Sequence, residues 1–231
     1  MIKKLKYLKY YGKVLLNNWK SSKDSYAQHG EDQLIELLLP NGVNSFIDIG
    51  ANDGVLFSNT YKFAKQGASG LCIEPSSSSF QKLRLNHLFN SRVSCIHAAV
   101  SNFEGSIFIN DKGYESTLST VSTTKSKESR KVSCRTFQNI LKEYPSFNNI
   151  DLLSIDVEGH EEKVISGLGR FPFIAKIIVI ESDKTEIEKL LTMEGLNEYF
   201  PIYTNTLNTI LSHKGITLNQ PNKIIEGFAP W

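Results

Sequence analysis

The sequence predicts an α/β fold: an open, mostly parallel sheet with helices on both faces and an antiparallel hairpin at one edge. Three observations carry this. Short apolar runs at Phe46-Ile47-Asp48-Ile49, Leu71-Cys72-Ile73-Glu74 and Leu152–Asp156 each run out into an acid and a loop, as buried parallel strands do. Segments with helical spacing alternate with such runs from residue 31 to residue 192. Two further apolar runs then stand close together around Asn205, too close for a parallel crossover but right for a hairpin.

Taken in order, Glu31–Leu39 has helical spacing and stops at Pro40-Asn41-Gly42. Ser45–Ile49 is the first strand, Ser58–Lys65 a helix, and Gly70–Glu74 the second strand. Ser76 caps a helix reaching Phe89, and Val93–Ala99 is the third strand. Residues 101–135 break the alternation: Ser106–Asn110 reads as a strand, but Ser116–Lys131 is polar and aperiodic. An insertion of that length in a compact domain is either functional or mobile, and residues 113–131 are read as a flexible flap at the rim. Ser133–Lys142 resumes as a short strand and a helix. Ile150–Ile155 is a strand, His160–Ser166 opens a helix, Ala175–Glu181 is a strand and Thr185–Thr192 a helix. Tyr199–Tyr203 and Thr209–Ser212 form the edge hairpin, which makes a seven-stranded sheet.

With 231 residues the chain has room for one large domain and a sizeable core. Its net charge of +2 demands no nucleic-acid partner, and none is expected. The charge is uneven, because seven lysines precede Asp24, leaving 19 basic residues against 24 acids. In residues 1–25, Leu5, Leu8, Tyr11, Leu15 and Trp19 share one helical side and Lys6, Lys9, Lys13 and Lys20 another. This basic amphipathic helix suits either an anionic membrane surface, through residues 1–20, or packing on protein with solvated lysines. A Ser-rich hinge follows, and the main domain is expected over residues 26–231. Cys72, Cys95 and Cys134 form no Cys-x-x-Cys and read as reduced, largely buried thiols. Without a secretory leader, a transmembrane-length apolar run or an Asn-x-Ser/Thr sequon, a cytoplasmic location is the expectation.

Chemistry concentrates in two places. The first is Asp48-Ile49-Gly50-Ala51-Asn52-Asp53-Gly54, a tight loop whose glycines let backbone approach a ligand. Glu74 follows about twenty residues on, where an acid suits the two hydroxyls of a ribose. A dinucleotide site would show Gly-x-Gly-x-x-Gly and would not place two carboxylates by a pyrophosphate. The acids suit a cofactor with a cationic end, the sulfonium and ammonium of S-adenosylmethionine. The second place is Ser154-Ile155-Asp156-Val157-Glu158-Gly159-His160-Glu161. Ligands of open α/β sheets bind beyond the carboxyl ends of the strands, so Asp48, Glu74 and Asp156 end on one edge, with Glu158 and His160 just past it. Gathering such groups is costly without a purpose, although a lone histidine at a helix start is often structural.

These residues resemble the FkbM-type S-adenosylmethionine-dependent methyltransferases. The matching pieces are Tyr26–Asp32, Phe46–Thr60, Cys72-Ile73-Glu74-Pro75, His97–Ser101, Asp151–Glu161 and Ile177–Glu181. They occur in order across roughly residues 26–213, and the strand count and order are those of a class I methyltransferase, a Rossmann-like fold. The resemblance implies an O-methyltransferase acting on a hydroxyl of a sugar, glycan or small molecule, with the hydroxyls of a deoxysugar in a surface polysaccharide as first choice. It implies that Asp48, Gly50, Asn52 and Gly54 line the methionine end of the cofactor. Glu74 and Pro75 would meet the ribose, Ala98, Ala99 and Val100 would pass close to adenine, and Asp156 would also face the cofactor. Gln28, Glu31 and Asp32 resemble an entry segment that closes over the site, and His29 has no assigned role.

Methyl transfer needs the acceptor oxygen held in line with the S–CH3 bond and its proton removed. His160, Asp156 and Glu158 are the catalytic candidates, with His160 preferred because imidazole needs little pKa adjustment near neutral pH. A divalent metal is not favoured; if one is used, Asp156 and Asp183 stand at the ends of the fourth and fifth strands, where related sugar enzymes hold it. Two other functions remain open from the residues. One is an NAD(P)-dependent oxidoreductase, for which Tyr61-x-x-x-Lys65 offers a misplaced dyad; the other is a non-catalytic cofactor-binding or adaptor protein. Oligomeric state is not readable.

Overall fold

A computed structural model describes residues 12, 16, 23–110, 129–221 and 225–231. The amphipathic helix expected in residues 1–25 lies outside the described residues except for Gly12 and Leu16, both helical, and Lys23–Ser25. The flap expected over residues 113–131 likewise lies outside them, apart from its last three residues.

The elements follow the expected alternation: α1 (Glu31–Leu38), β1 (Ser45–Ile49), α2 (Tyr61–Lys65), β2 (Ser69–Ile73), α3 (Ser77–Asn86) and β3 (Val93–Ile96). Next come β4 (Ala99–Ser101), β5 (Gly105–Asn110), β6 (Ser129–Thr136), α4 (Phe137–Glu143), β7 (Asn149–Ile155), α5 (Glu161–Ser166) and β8 (Ile174–Glu181). α6 (Lys184–Leu190), β9 (Tyr199–Thr204), β10 (Asn208–His213) and β11 (Ala229–Pro230) complete the chain. Local chemistry sets several ends. Ser76 Oγ accepts from Ser79 N–H to start α3, and Asp183 with Glu186 closes a capping box on α6.

The main sheet has eight strands in the order β11-β9-β10-β8-β7-β1-β2-β3. β3, β2, β1, β7 and β8 run parallel, while β10 is antiparallel to both β8 and β9. This corrects the expected count of seven, because Ala229 and Pro230 add an edge strand on Thr204 and Tyr203. A second correction concerns Val93–Ala99, which is not one strand. The chain leaves the main sheet after Ile96, and Ala99–Ser101 pairs instead with Cys134–Thr136 in a separate sheet, β4-β6-β5.

Period-two alternation fills a core on each face of the main sheet. Ile47, Ile49, Leu153, Ile155, Ile178 and Ile180 pack with Phe137 and Ile140 of α4, Val164 and Ile165 of α5 and Ile187 of α6. Phe46, Leu152, Ile177 and Val179 pack on the other face with Leu34, Ile35 and Leu38 of α1, Phe63 of α2 and Leu83 of α3. Gly70 is required there, since a Cβ would stand 2.2 Å from the Phe46 ring. Cys72, Cys95 and Cys134 are free thiols, the first and last buried. No helix among the described residues is long and apolar enough to cross a membrane.

Candidate active site

Strand order reverses between β1 and β7, so the loops leaving their carboxyl ends diverge and open a crevice. It is a cleft of about 340 Å³, with Asp48, Gly50 and Asn52 on one wall and Ser154, Asp156, Glu158 and Glu181 on the other. Gln28 and the segment Leu56–Asn59 complete its rim.

The first loop is built by its own polar groups. Asp48 is buried, and its Oδ2 accepts from Thr60 Oγ1 at 2.6 Å. Burial pushes its carboxyl up to about 6 despite that bond. Gly50 has φ 89°, and a Cβ there would lie 1.7 Å from the Asp156 carbonyl oxygen. The glycine is therefore required by the seam between two strand ends, where Asp156 N–H also donates to Ile49 O at 3.0 Å. Access for a ligand is not its first constraint. Gly54 (φ 74°) faces away from the cleft: a Cβ there would meet Leu83 and His87. Asn52 takes φ 49° while its N–H donates to Glu74 Oε2 at 2.9 Å.

Glu74 braces two loops, because its Oε1 also accepts from Ser76 N–H at 2.6 Å. The carboxylate is buried and does not line the cleft. Glu74→Ala removes the acceptor of two loop N–H groups, so it is expected to cost about 1.5–3 kcal/mol of folding stability, the worth of charge-assisted hydrogen bonds, and to weaken S-adenosylhomocysteine binding through the displaced loop, with the fold retained. Calorimetry beside far-ultraviolet circular dichroism reads both, and unchanged affinity would detach Glu74 from the cofactor. Near it, Pro75 O accepts from His97 Nε2 at 3.1 Å, and the His97 ring stacks on Phe80. Ala98, Ala99 and Val100 are buried, Ala98 and Val100 in the core above β1 and β7 and Ala99 in the small sheet, so their side chains meet protein.

The second wall gathers acids. Carboxylate oxygens of Asp156, Glu158 and Glu181 lie within 4.8 Å of one another. Asp156 is exposed as a residue, yet its carboxyl is raised well above the ordinary carboxylate range. Desolvation is the largest cause, followed by a hydrogen bond to Glu181 and the charges of Glu181, Glu158 and Asp48. Adjacent carboxyls hold a shared proton rather than two full charges, which raises the pair. Glu158 is raised by desolvation and by Glu181, and it sits at φ 53°. Among the described residues, no lysine, arginine or histidine forms an ion pair with Asp48, Asp156, Glu158 or Glu181. Three oxygen donors this close are chemically compatible with a hard divalent cation as well as with an organic one.

Two expected residues stand elsewhere. His160 does not line the cleft. It is buried at the start of α5, its Nε2 shares a 3.0 Å hydrogen bond with Ser101 Oγ of β4, and burial followed by the Lys163 charge lowers its pKa. The structure uses it to join α5 to the small sheet. Asp183, named beside Asp156 only for the case that a metal is used, caps α6 in a capping box, and Glu181 stands beside Asp156 instead. Glu181 was legible by the rule that found Asp48, Glu74 and Asp156: it is an acid ending an apolar strand.

The entry segment is clamped from beneath. Asp32, fully buried, accepts from Ser25 Oγ (2.6 Å) and Tyr26 N–H (2.7 Å). Glu31, also fully buried, accepts from His29 N–H at one oxygen and from Asn205 and Asn208 side-chain amides (2.9 and 2.8 Å) at the other. Gln28, between them, reaches the cleft. Ala27 forms a parallel bridge with Phe57. Phe57 carries φ 58°, a left-handed conformation that costs a non-glycine residue roughly 1–2 kcal/mol. Neither Leu56 nor Phe57 stood out in the sequence, yet both line the cleft while remaining 42% and 56% exposed.

A parallel sheet with this switch point and glycine loop is the architecture of the class I S-adenosylmethionine-dependent methyltransferases. Aeropyrum pernix fibrillarin, solved with natively bound S-adenosyl-L-methionine, shares the fold at a TM-score of 0.50 and 8% identity, over 80% of this chain and 74% of that one. A precorrin-6y C5,15-methyltransferase from Geobacter metallireducens matches at a TM-score of 0.45 and 9% identity, over 84% and 93% of the two chains. An O-methyltransferase from Bacillus cereus in complex with SAH matches at 0.45 and 13%, over 89% and 90%. No curated protein matches the chain. The family model of the methyltransferase FkbM domain matches residues 48–208, and the chain belongs to that family of S-adenosylmethionine-dependent methyltransferases.

Proposed function

We propose that this methyltransferase acts on a hydroxyl oxygen of a sugar or glycan, with the cleft between β1 and β7 as the site and an Asp156–Glu181 carboxyl pair as the base. The observation that carries the reading is the gathering of Asp48, Asp156, Glu158 and Glu181 around one cleft, with no side-chain cation paired to them among the described residues. Such a cleft suits the ammonium and sulfonium of the cofactor and the hydroxyl edge of a sugar. When bound, S-adenosylmethionine supplies an electrophilic methyl group.

The protein's part is placement and proton removal. Asp48 and the Gly50–Asn52 backbone hold the cationic end, while Glu74 fixes the loop that meets the ribose. Glu158 and Asp156 accept hydrogen bonds from acceptor hydroxyls and orient one oxygen in line with the S–CH3 bond. The acceptor hydroxyl, on taking up that methyl group, would give its proton to the Asp156–Glu181 pair, which accepts it once the proton the two carboxyls share has been released. A raised carboxyl suits this task better than an ordinary one, since its basicity lies closer to neutral. His160 and Asp183 take no part in this account.

The test is methyl transfer from methyl-labelled S-adenosylmethionine to a panel of methyl glycosides, deoxysugars included, with amines and an RNA as comparison acceptors. Label is expected on a glycoside oxygen. Transfer to the amine or RNA acceptors alone would replace the hydroxyl reading.

A further inference from the structure

We propose that Leu56 and Phe57 form an apolar shelf that seats the ring face of the acceptor, making Phe57 a specificity residue for cyclic over open-chain hydroxyl compounds; this rests on the sugar-hydroxyl reading above.

Three independent features meet at Phe57. The residue is more than half exposed although it lines the cleft. Its backbone is held in the left-handed region, where an aromatic residue is an outlier and strain persists only if the surroundings impose it. Those surroundings are rigid on both sides. Asp53 Oδ1 accepts from Val55 and Leu56 N–H at 3.0 and 2.9 Å, and Asp53 O accepts from Asn86 Nδ2 at 2.6 Å. Ser58 Oγ accepts from Thr60 and Tyr61 N–H, and Ala27 bridges Phe57 from the entry segment. Nothing about folding requires two exposed apolar side chains to be carried on a pinned backbone at the rim of an acidic cleft.

The pairing of surfaces names the ligand class. A pyranose ring presents C–H groups on its face and hydroxyls around its edge. The face matches an aromatic ring and a leucine, and the edge matches the carboxylates of Asp156, Glu158 and Glu181. An open-chain polyol has the hydroxyls but no face. An exposed aromatic on a pinned backbone beside convergent polar groups is the makeup of a ligand pocket.

The probes are methyl α-L-rhamnopyranoside and erythritol, each added to the full chain loaded with S-adenosylhomocysteine and read by saturation-transfer NMR. Labelled methyl transfer supplies KM and kcat. Wild type and Phe57→Tyr are expected to saturate the rhamnoside ring protons and to leave erythritol dark. Phe57→Ala and Phe57→Gly should weaken rhamnoside binding about tenfold or more, raising KM with kcat little changed, while S-adenosylhomocysteine affinity stays at the wild-type value. The glycine variant guards against misfolding, because glycine accepts this φ without strain. Wild-type rhamnoside affinity in the alanine and glycine variants would overturn the shelf alone. So would a parallel loss of S-adenosylhomocysteine affinity, which would assign the ring to the cofactor. A wild-type protein that neither binds nor methylates any glycoside would overturn the sugar reading together with the shelf.

Discussion

Replacing Asp156 by asparagine is expected to lower kcat by about 10²–10⁴, the usual share of a general base, while making the folded protein more stable near neutral pH. Both effects come from the carboxyl cluster. The base must be ionised to take a proton, so the wild-type rate should climb with pH through the raised value of the Asp156–Glu181 pair. The stability effect has the opposite sense. The folded pair holds a proton that the unfolded chain would release above the ordinary carboxylate range. Stability therefore falls as pH rises from that range toward the raised value. Asparagine carries no charge and removes this slope. Binding of S-adenosylhomocysteine, which lacks the sulfonium, should survive. A pH–rate profile, thermal melts at several pH values and calorimetry check the three parts. An Asp156→Asn enzyme with wild-type kcat would remove the pair from catalysis. A carboxylate base also predicts activity that is indifferent to EDTA.

Gly50→Ala is expected to cost about 3 kcal/mol or more of folding stability, the combined effect of left-handed strain and overpacking. The added methyl would stand 1.7 Å from the Asp156 carbonyl, which is backbone and cannot swing aside. Relief requires the ends of β1 and β7 to part, and the cleft lies between them. Gly159→Ala is the matched control: it shares a left-handed φ (87°) but meets nothing within 4 Å. It should lose only about 1 kcal/mol. Urea denaturation of the two variants separates crowding from strain, and equal midpoints would refute the seam.

Much of the main sheet was legible because its strands obey local rules. A short, mainly apolar run followed by Gly50 reads the same in isolation as it does between β2 and β7. The helices of both faces were legible through spacing, and the hairpin through the shortness of its turn. What escaped was decided by partners distant in sequence. Val93–Ala99 is one apolar stretch, and only pairing with Cys134–Thr136 divides it. β11 is two residues long and exists because Tyr203 and Thr204 offer an edge. His160 looked catalytic because imidazole suits the chemistry, but its ring is taken by Ser101, 59 residues earlier. Asp183, a ligand candidate only if a metal is used, is the cap of its own helix. Glu181 and Phe57 carried weak local signals, an acid ending a strand and an aromatic within a polar loop, and acquire meaning only from the cleft they border.

The Glu31 carboxylate ties the segment bearing Gln28 to the turn of the edge hairpin through Asn205 and Asn208. Asn205 and Asn208 lie 174 and 177 residues from Glu31 along the sequence, yet the segment and the turn form one mechanical part. A chimera that borrows the entry segment from a relative and keeps this hairpin would leave a buried acid facing the wrong amides. Exchange of the entry segment among relatives therefore calls for transplanting the segment and this turn as a matched pair, and a change in one constrains which residues the other can accept.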